Sequence, residues 1–452
     1  VGRKREDAGG PALNVDLYEL TMAAAYFGAG LDTRPTFELF VRELPPRRSY
    51  LVTAGLAQAL EYLSDFKFTG AQIDYVRGLP PFRTVSSAFF DHLASLRFRG
   101  EVWAMPEGTV AFQEEPLLRV TADIIEAQLV ETYLLATLNF QTMVATKASR
   151  VVGAAGGRPV VDFGTRRAHG PEAGVLAARA CYIGGCDATS NVEAGYRYGI
   201  PTMGTAAHSY IMAFGDEMEA FERYESTFPE SASLLIDTYD TLEGARRAAS
   251  FGRSLRSVRL DSGDIADLSV KVREILDRSG AAGAKIVASG DLNEDRIAAL
   301  LAKGAPVDAF GVGTEMVVSK DAPSLGGVYK MVDSGRGRRT SVAKYSAEKE
   351  TCPGVKQVLR EVDPDGAFVS DVLALAEERP GEGQVPLLKR VMNGGALERP
   401  QESLEIIRGR STEDLSRLPY AYRRLDGADR YPVRTSEALR SLASDVKRRA
   451  SG

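Results

Sequence analysis

Ser257-Val258-Arg259-Leu260-Asp261-Ser262-Gly263-Asp264 opens as a short apolar and β-branched run, closes on aspartate, serine and glycine, and gives way at once to a helical pattern. Its strand portion, Ser257 to Asp261, has counterparts at Val160 to Phe163, Thr202 to Thr205, Leu234 to Asp237, Lys285 to Ser289 and Asp308 to Val312. Strands that alternate with helices of this length need crossover connections and so predict a parallel sheet. Six such units in one block favour a β/α barrel over a doubly wound open sheet, the competing arrangement.

Working outward, Leu13 to about Lys147 mixes helices with alternating strands. Leu17 to Phe27 reads as a helix, Thr36 to Val41 as a strand and Ile124 to Val144 as one long helix. Pro106-Glu107-Gly108 is a turn signal, which predicts that Glu101 to Ala104 pairs with Val110 to Phe112 as a hairpin. After Gly327, Val328 to Val332 and Thr340 to Lys344 read as strands joined by a solvated loop, Gly335 to Arg339. The expected organisation is an N-terminal α+β domain over 1–146, joined by strands from 328–410, a barrel domain over 147–327 with the active site, and a small appended region over 350–452.

The chain has 452 residues, 44% of them hydrophobic, with 56 basic and 61 acidic side chains for a net charge of −5. That is an ordinary balance for a chain burying a large core, and it disfavours a general nucleic-acid binder. The three cysteines, Cys181, Cys186 and Cys352, form no CxxC pair, so neither a disulfide framework nor a zinc ribbon is expected and a reducing, cytoplasmic setting fits. The charged first ten residues read as a frayed tail, and the least polar stretch, Thr132 to Thr146, is too short and polar to span a bilayer.

Barrel enzymes place their chemistry at the C-terminal ends of strands. Here those ends carry Asp162-Phe163-Gly164-Thr165-Arg166, Gly204-Thr205-Ala206-Ala207-His208, Asp237-Thr238-Tyr239-Asp240, Ser289-Gly290-Asp291 and Gly311-Val312-Gly313-Thr314 beside the Asp261 stretch. Such a set suits a phosphorylated sugar. Gly290, Gly311 and Gly313 let backbone N–H groups approach phosphate oxygens, and helix N-termini after those loops favour anions. Arg166 and Arg259 offer planar forks to phosphate or carboxylate. Asp261, Asp264 and Asp291 are suited to ribose hydroxyls or Mg²⁺. Each residue also has an ordinary reading, as a tight turn, a helix cap or an ion pair. Of the three histidines, His92 lies in a helical stretch and reads as packing, His169 sits in a glycine-flanked loop beside Arg166, and His208 lies just past a strand end, where an imidazole can act as base or nucleophile.

The segments Asp16-Leu17-Tyr18-Glu19-Leu20-Thr21-Met22, Thr146-Lys147-Ala148-Ser149-Arg150, Asp162 to Arg167, Gly204 to Ser209, Arg259 to Asp264 and Pro323-Ser324-Leu325-Gly326-Gly327-Val328-Tyr329-Lys330 resemble those of nicotinate phosphoribosyltransferases, in the same order, from about Asn14 to Arg360. The resemblance implies an incomplete β/α barrel (type II phosphoribosyltransferase fold) beside an N-terminal domain, working as a homodimer with shared active sites. It implies that nicotinate is joined to 5-phosphoribosyl 1-pyrophosphate, giving nicotinate mononucleotide and pyrophosphate, with ATP as co-substrate and Mg²⁺ near Asp261 and Asp291. It further implies that His208 is phosphorylated by ATP and oriented by Asp237, and that Phe163 and the partner subunit's Tyr18 sandwich the pyridine. Arg166, Thr205, Arg259, Asp261, Ser289, Gly290, Asp291, Gly311, Gly313 and Thr314 then line the substrate sites, with Lys147, Arg150 and His169 as further candidate phosphate contacts. Val15 stands where the family commonly has threonine, which touches no catalytic role.

Rival readings are a nicotinamide phosphoribosyltransferase, separated from the nicotinate enzymes by few side chains, a quinolinate phosphoribosyltransferase, a family that lacks the phosphorylated histidine, and a non-catalytic sensor of phosphoribosyl ligands. An aldolase barrel is disfavoured because no lysine closes a predicted strand.

Overall fold

The computed structural model describes residues 10–336, 341–345 and 350–451. The expected N-terminal tail and parts of the Gly335 to Arg339 loop and of the Thr340 to Lys344 strand lie outside the described residues. The chain divides into two compact units, one of residues 1–142 and 324–452, the other of residues 143–323. Among the described residues, no helix is long and apolar enough to cross a membrane.

The second unit carries six parallel strands: β1 (Val160–Asp162), β2 (Ala188–Thr189), β3 (Ser233–Leu235), β4 (Ser257–Leu260), β5 (Lys285–Ala288) and β6 (Ala309–Val312). Their spatial order is β2-β1-β6-β5-β4-β3. That is a cyclic sequence of neighbours broken only between β2 and β3, so the sheet curls as a barrel and stays open there. The expected strand at Thr202 to Thr205 is not formed. Thr202 makes a single parallel bridge to Thr189, and Ala188–Thr189 holds the ring position instead. Thr202, Met203 and Gly204 are exposed, so this stretch has no buried face to reward continued pairing.

Side chains alternate across a strand, and the register assigns them. Val258 and Leu260 of β4 and Ile286 of β5 pack into a buried cluster with Leu234, Ile236, Phe221, Ala245, Val272 and Leu276, which includes residues of the crossover helices. Arg259 therefore takes the opposite face, beside Val287 on one neighbour and Leu235 on the other. Continued along the chain, that parity carries Asp237, Asp261, Ser289, Gly311, Gly313 and Phe163 to the same inner face.

In the first unit, Thr36–Val41 lies between Gly327–Asp333 and Pro116–Thr121 in a six-stranded sheet that also takes Glu101–Ala104, Lys389–Asn393 and Ala396–Leu397. The hairpin expected at Pro106 is not formed. Glu101–Ala104 pairs with Pro116–Thr121 and Val110–Ala111 with Leu51–Val52. The turn itself exists, since the Thr109 N–H donates to the Pro106 carbonyl at 3.2 Å, but the Gly108 N–H donates to the Thr53 carbonyl at 2.7 Å and diverts the strand that follows. The long helix breaks at Val130 into Ile124–Leu129 and Glu131–Ala154. The final hundred residues add a sheet ordered Gln384–Pro386, Lys356–Val362, Phe368–Leu375, Val433–Thr435. They are tied to the N-terminal residues by buried charge: Lys356 Nζ lies 2.7 Å from Glu38 Oε2, and the Lys356 N–H donates to Glu38 Oε1 at 2.8 Å.

Candidate active site

Arg259, on the inner face of β4, organises the mouth of the open barrel. Its Nε donates to Ser289 Oγ at 2.8 Å, Nη1 to Thr205 Oγ1 at 2.8 Å and to the Ala206 carbonyl at 3.3 Å, and Nη2 to Asp261 Oδ1 at 2.6 Å. The guanidinium thus ties three loops together and fastens the extended 202–207 stretch. It also lies 5.6 Å from the Phe163 ring centroid, within range of a cation–π attraction. The sequence led us to expect a fork free for a ligand; here most of its donors are used within the protein.

Asp261 is held from both sides, with Ser289 Oγ donating to the same Oδ1 at 2.5 Å. Burial by itself would raise its pKa, but the Ser289 hydrogen bond and the Arg259 charge outweigh burial and hold the carboxyl below its ordinary value. Gly290 follows with φ +88°, and a Cβ there would fall 1.9 Å from the Asp261 carbonyl oxygen, so only glycine closes this loop against β4. Asp291 continues left-handed at φ +49°, exposed, its carbonyl accepting from Arg296 Nη1 at 2.7 Å. Gly311 is needed for a different reason: a Cβ there would lie 2.4 Å from the Phe163 ring. Gly313 precedes Thr314, the first residue of a helix ending at Val317.

The expectation that helices after these loops present open N-termini to an anion is not met. The helix after Gly313 is a single turn. The one after Asp291, Glu294–Ala302, is capped by Asn293 and carries Glu294 and Asp295 in its first turn, which already answer the helix dipole.

His208 begins the helix His208–Phe214. Its Nδ1 is 3.1 Å from Thr238 Oγ1, and its Nε2 is 3.8 Å from Asp261 Oδ2. Asp237, expected to orient this ring, is engaged elsewhere: its Oδ2 accepts from the Asp261 N–H at 2.9 Å and from Ser262 Oγ at 2.7 Å, while Oδ1 is buried without a partner. Thr238 and Ser262 were not singled out from the sequence. The only signal was a hydroxyl beside each strand-closing aspartate, and strand alternation would have turned Thr238 away from the face of Asp237; β3 ends at Leu235, which frees it.

Arg166 lies in the exposed turn Thr165–Arg167, and His169 is exposed just beyond. Lys147 and Arg150, candidate phosphate contacts, are both engaged in buried ion pairs. Lys147 Nζ sits 2.5 Å from Glu294 Oε2 and 2.8 Å from Asp321 Oδ1, and Arg150 Nε sits 3.1 Å from Glu294 Oε1, with Lys147, Arg150 and Glu294 all buried. Their charges tie the helix Glu131–Ala154 to the helix Glu294–Ala302. Tyr18 belongs to the first unit, in the helix Leu17–Gly28, where it is 46% exposed.

Residues 144–322 match the quinolinate phosphoribosyl transferase C-terminal domain, which places the half-barrel and its strand-end cluster in the phosphoribosyltransferase class. Residues 13–139 and 383–443 match the N-terminal and C-terminal domains of nicotinate phosphoribosyltransferase. The chain is 45% identical over 437 residues to the nicotinate phosphoribosyltransferase pncB2 of Mycobacterium tuberculosis, covering 95% of this chain and 92% of that one. It is 38% identical to the nicotinate phosphoribosyltransferase of Bacillus subtilis, over 94% and 93% of the two chains. The crystal structure of human nicotinic acid phosphoribosyltransferase superposes with a TM-score of 0.82 at 30% identity, over 96% of this chain and 99% of that one. The chain belongs to the nicotinate phosphoribosyltransferase family.

Proposed function

We propose that the enzyme joins nicotinate to 5-phosphoribosyl 1-pyrophosphate, in NAD biosynthesis by salvage, and that ATP hydrolysis is coupled to this through a phosphohistidine at His208. The observation that carries the reading is the inner-face cluster in which Gly311 leaves room for the Phe163 ring while Arg259 is held against it. A flat aromatic beside a fixed cation suits an anionic pyridine. In the reaction the pyridine nitrogen's lone pair forms the new bond to the anomeric carbon as the bond from that carbon to the pyrophosphate oxygen breaks, and pyrophosphate leaves with the electron pair of the broken C–O bond. Positive charge on the sugar is met by Asp261, which its partners keep ionised. The γ-phosphoryl group of ATP passes to a ring nitrogen of His208 as the bond to ADP breaks, and later hydrolysis of the N–P bond releases free energy to turnover.

Among the described residues, no group of three or more His, Cys, Asp or Glu could hold a metal ion. Asp261 and the exposed Asp291 are the carboxylates that would meet a magnesium ion bringing the rest of its ligands from pyrophosphate and water, as this ion commonly does. Bound there, it would offset the charge of the leaving group.

The homodimer is part of the same proposal, with the partner subunit's Tyr18 covering the pyridine; Tyr18 and Leu17 are exposed at the start of their helix, which supports it. A cytoplasmic setting is supported by three free cysteines. Turnover of nicotinate, nicotinamide and quinolinate, each with and without ATP, tests the function. Nicotinate should be the preferred base and ATP should stimulate; equal use of nicotinamide would overturn the base assignment.

A further inference from the structure

We infer that Ser289 is a positioning residue whose hydroxyl closes the Arg259 fork against one oxygen of Asp261 and so leaves the other oxygen open at the mouth of the barrel. The geometry stands by itself; its catalytic consequence rests on the reaction proposed above. Ser289 follows β5 as Asp261 follows β4, and the Ser289 N–H donates to the Leu260 carbonyl at 2.8 Å, which sets the two side chains next to each other. Ser289 is 2% exposed, so its hydroxyl must find its partners within the protein.

A serine oxygen accepts through its lone pairs and donates one proton. Arg259 Nε donates to Ser289 Oγ at 2.8 Å. Ser289 Oγ in turn donates to Asp261 Oδ1 at 2.5 Å, with the Leu260 carbonyl the more distant acceptor at 3.3 Å. Arg259 Nη2 reaches the same Oδ1 at 2.6 Å. The guanidinium is thus closed on a single carboxylate oxygen, through the hydroxyl from Nε and directly from Nη2.

An arginine fork that meets a carboxylate unaided commonly engages both oxygens. Here Ser289 takes the place of the second oxygen. Among the described residues no hydrogen bond reaches Asp261 Oδ2, and His208 Nε2 stands 3.8 Å from it, beyond hydrogen-bond distance. The oxygen left over faces the sugar as positive charge develops there.

The experiment compares the full chain as wild type, as Ser289→Ala, which loses the hydroxyl, and as Ser289→Thr, which keeps it. Crystal structures of the three show the fork, and steady-state assays with nicotinate and 5-phosphoribosyl 1-pyrophosphate separate kcat from KM. In Ser289→Ala, Arg259 should turn to engage both Asp261 oxygens. Its kcat should fall by about tenfold, the worth of one hydrogen bond, with both KM values within about twofold of wild type, since the charge that Asp261 meets arises only in the transition state. Ser289→Thr should restore the fork and kcat together. A fork unmoved in Ser289→Ala, with Oδ2 still open, overturns the inference whatever the kinetics show, and a Ser289→Thr that behaves as Ser289→Ala overturns it by removing the hydroxyl as the cause. A fork that moves while kcat keeps its wild-type value, or a loss carried by KM alone, overturns the catalytic consequence. If the wild-type protein does not turn over nicotinate, the proposed function fails, and the crystal structures still decide what closes the fork.

Discussion

Gly311 and Phe163 occupy one space: a Cβ on Gly311 would lie 2.4 Å from two atoms of the Phe163 ring. The glycine is thus a condition of the ring's position at the mouth of the barrel. Gly311→Ala introduces no backbone strain, since Gly311 is not among the residues of positive φ, so its effect falls on the ring. We predict that it lowers kcat/KM for nicotinate by about 10- to 100-fold, as displacements near 1 Å do, and costs about 1–3 kcal/mol of stability by overpacking. Unfolding and steady-state assays on the same preparation check this; unchanged kinetics would mean the Phe163 ring does not meet substrate.

Arg259→Lys removes the bridge to Thr205, Ser289 and Asp261 while keeping the charge. One ammonium cannot span these partners, so kcat/KM should fall by about 10- to 100-fold. The same change withdraws a partner that holds Asp261 below its ordinary pKa. The acid limb of the kcat/KM profile should therefore move to higher pH, and an unmoved limb would exclude Asp261 as the group that titrates there.

For Lys147 the forecast concerns stability. Lys147→Met leaves Glu294 buried with Arg150 as its remaining charged partner, a loss of about 3–5 kcal/mol by the usual cost of breaking a buried pair. At temperatures where the variant stays folded, KM for the pyrophosphorylated sugar should be within about twofold of wild type. A large rise in that KM would return Lys147 to the phosphate site.

Glu19 makes the first unit sensitive to pH. Buried on the same helix as Tyr18, its carboxyl is pushed up to about 7, chiefly by burial and further by Glu131 and Asp16, against an opposing hydrogen bond from Thr132. An acid whose pKa is higher folded than unfolded binds more protons when folded, so its contribution is full below about 4.5 and is lost as pH rises through about 7. Glu19→Gln should flatten the fall in stability between those limits, measured as the unfolding midpoint against pH. An unaltered slope would exclude Glu19 as its source.

Mixing Tyr18→Ala with His208→Ala tests the composite site. If the partner subunit's Tyr18 serves the site of His208, random exchange should assemble some dimers with one intact site and restore up to about a quarter of wild-type activity. Demonstrated exchange with no recovered activity would place both residues in the same subunit's site.

Much of this could be read along the chain because it is local. The apolar runs closing on Asp, Ser and Gly marked five of the six barrel strands to within about two residues, and the strand at Thr36–Val41 is as expected, since strand periodicity and turn chemistry act over a few residues. Residues such as Arg259, Asp261 and Ser289 were recognisable as candidates from their places at strand ends. What they touch was not, because partners lie far apart in sequence: Arg259 takes Thr205 from 54 residues away and Ser289 from 30. The same is true of charge. Lys147 and Arg150 read along the chain as candidate phosphate contacts, and only folding sets Glu294, 144 residues from Arg150, against them in buried ion pairs. Short-range pattern determined which segments become strands and which side chains sit at their ends; tertiary packing decided which cations are already satisfied, which strand pairs with which, and that Thr238 meets His208, because hydrogen-bond and ion partners are chosen by distance in space.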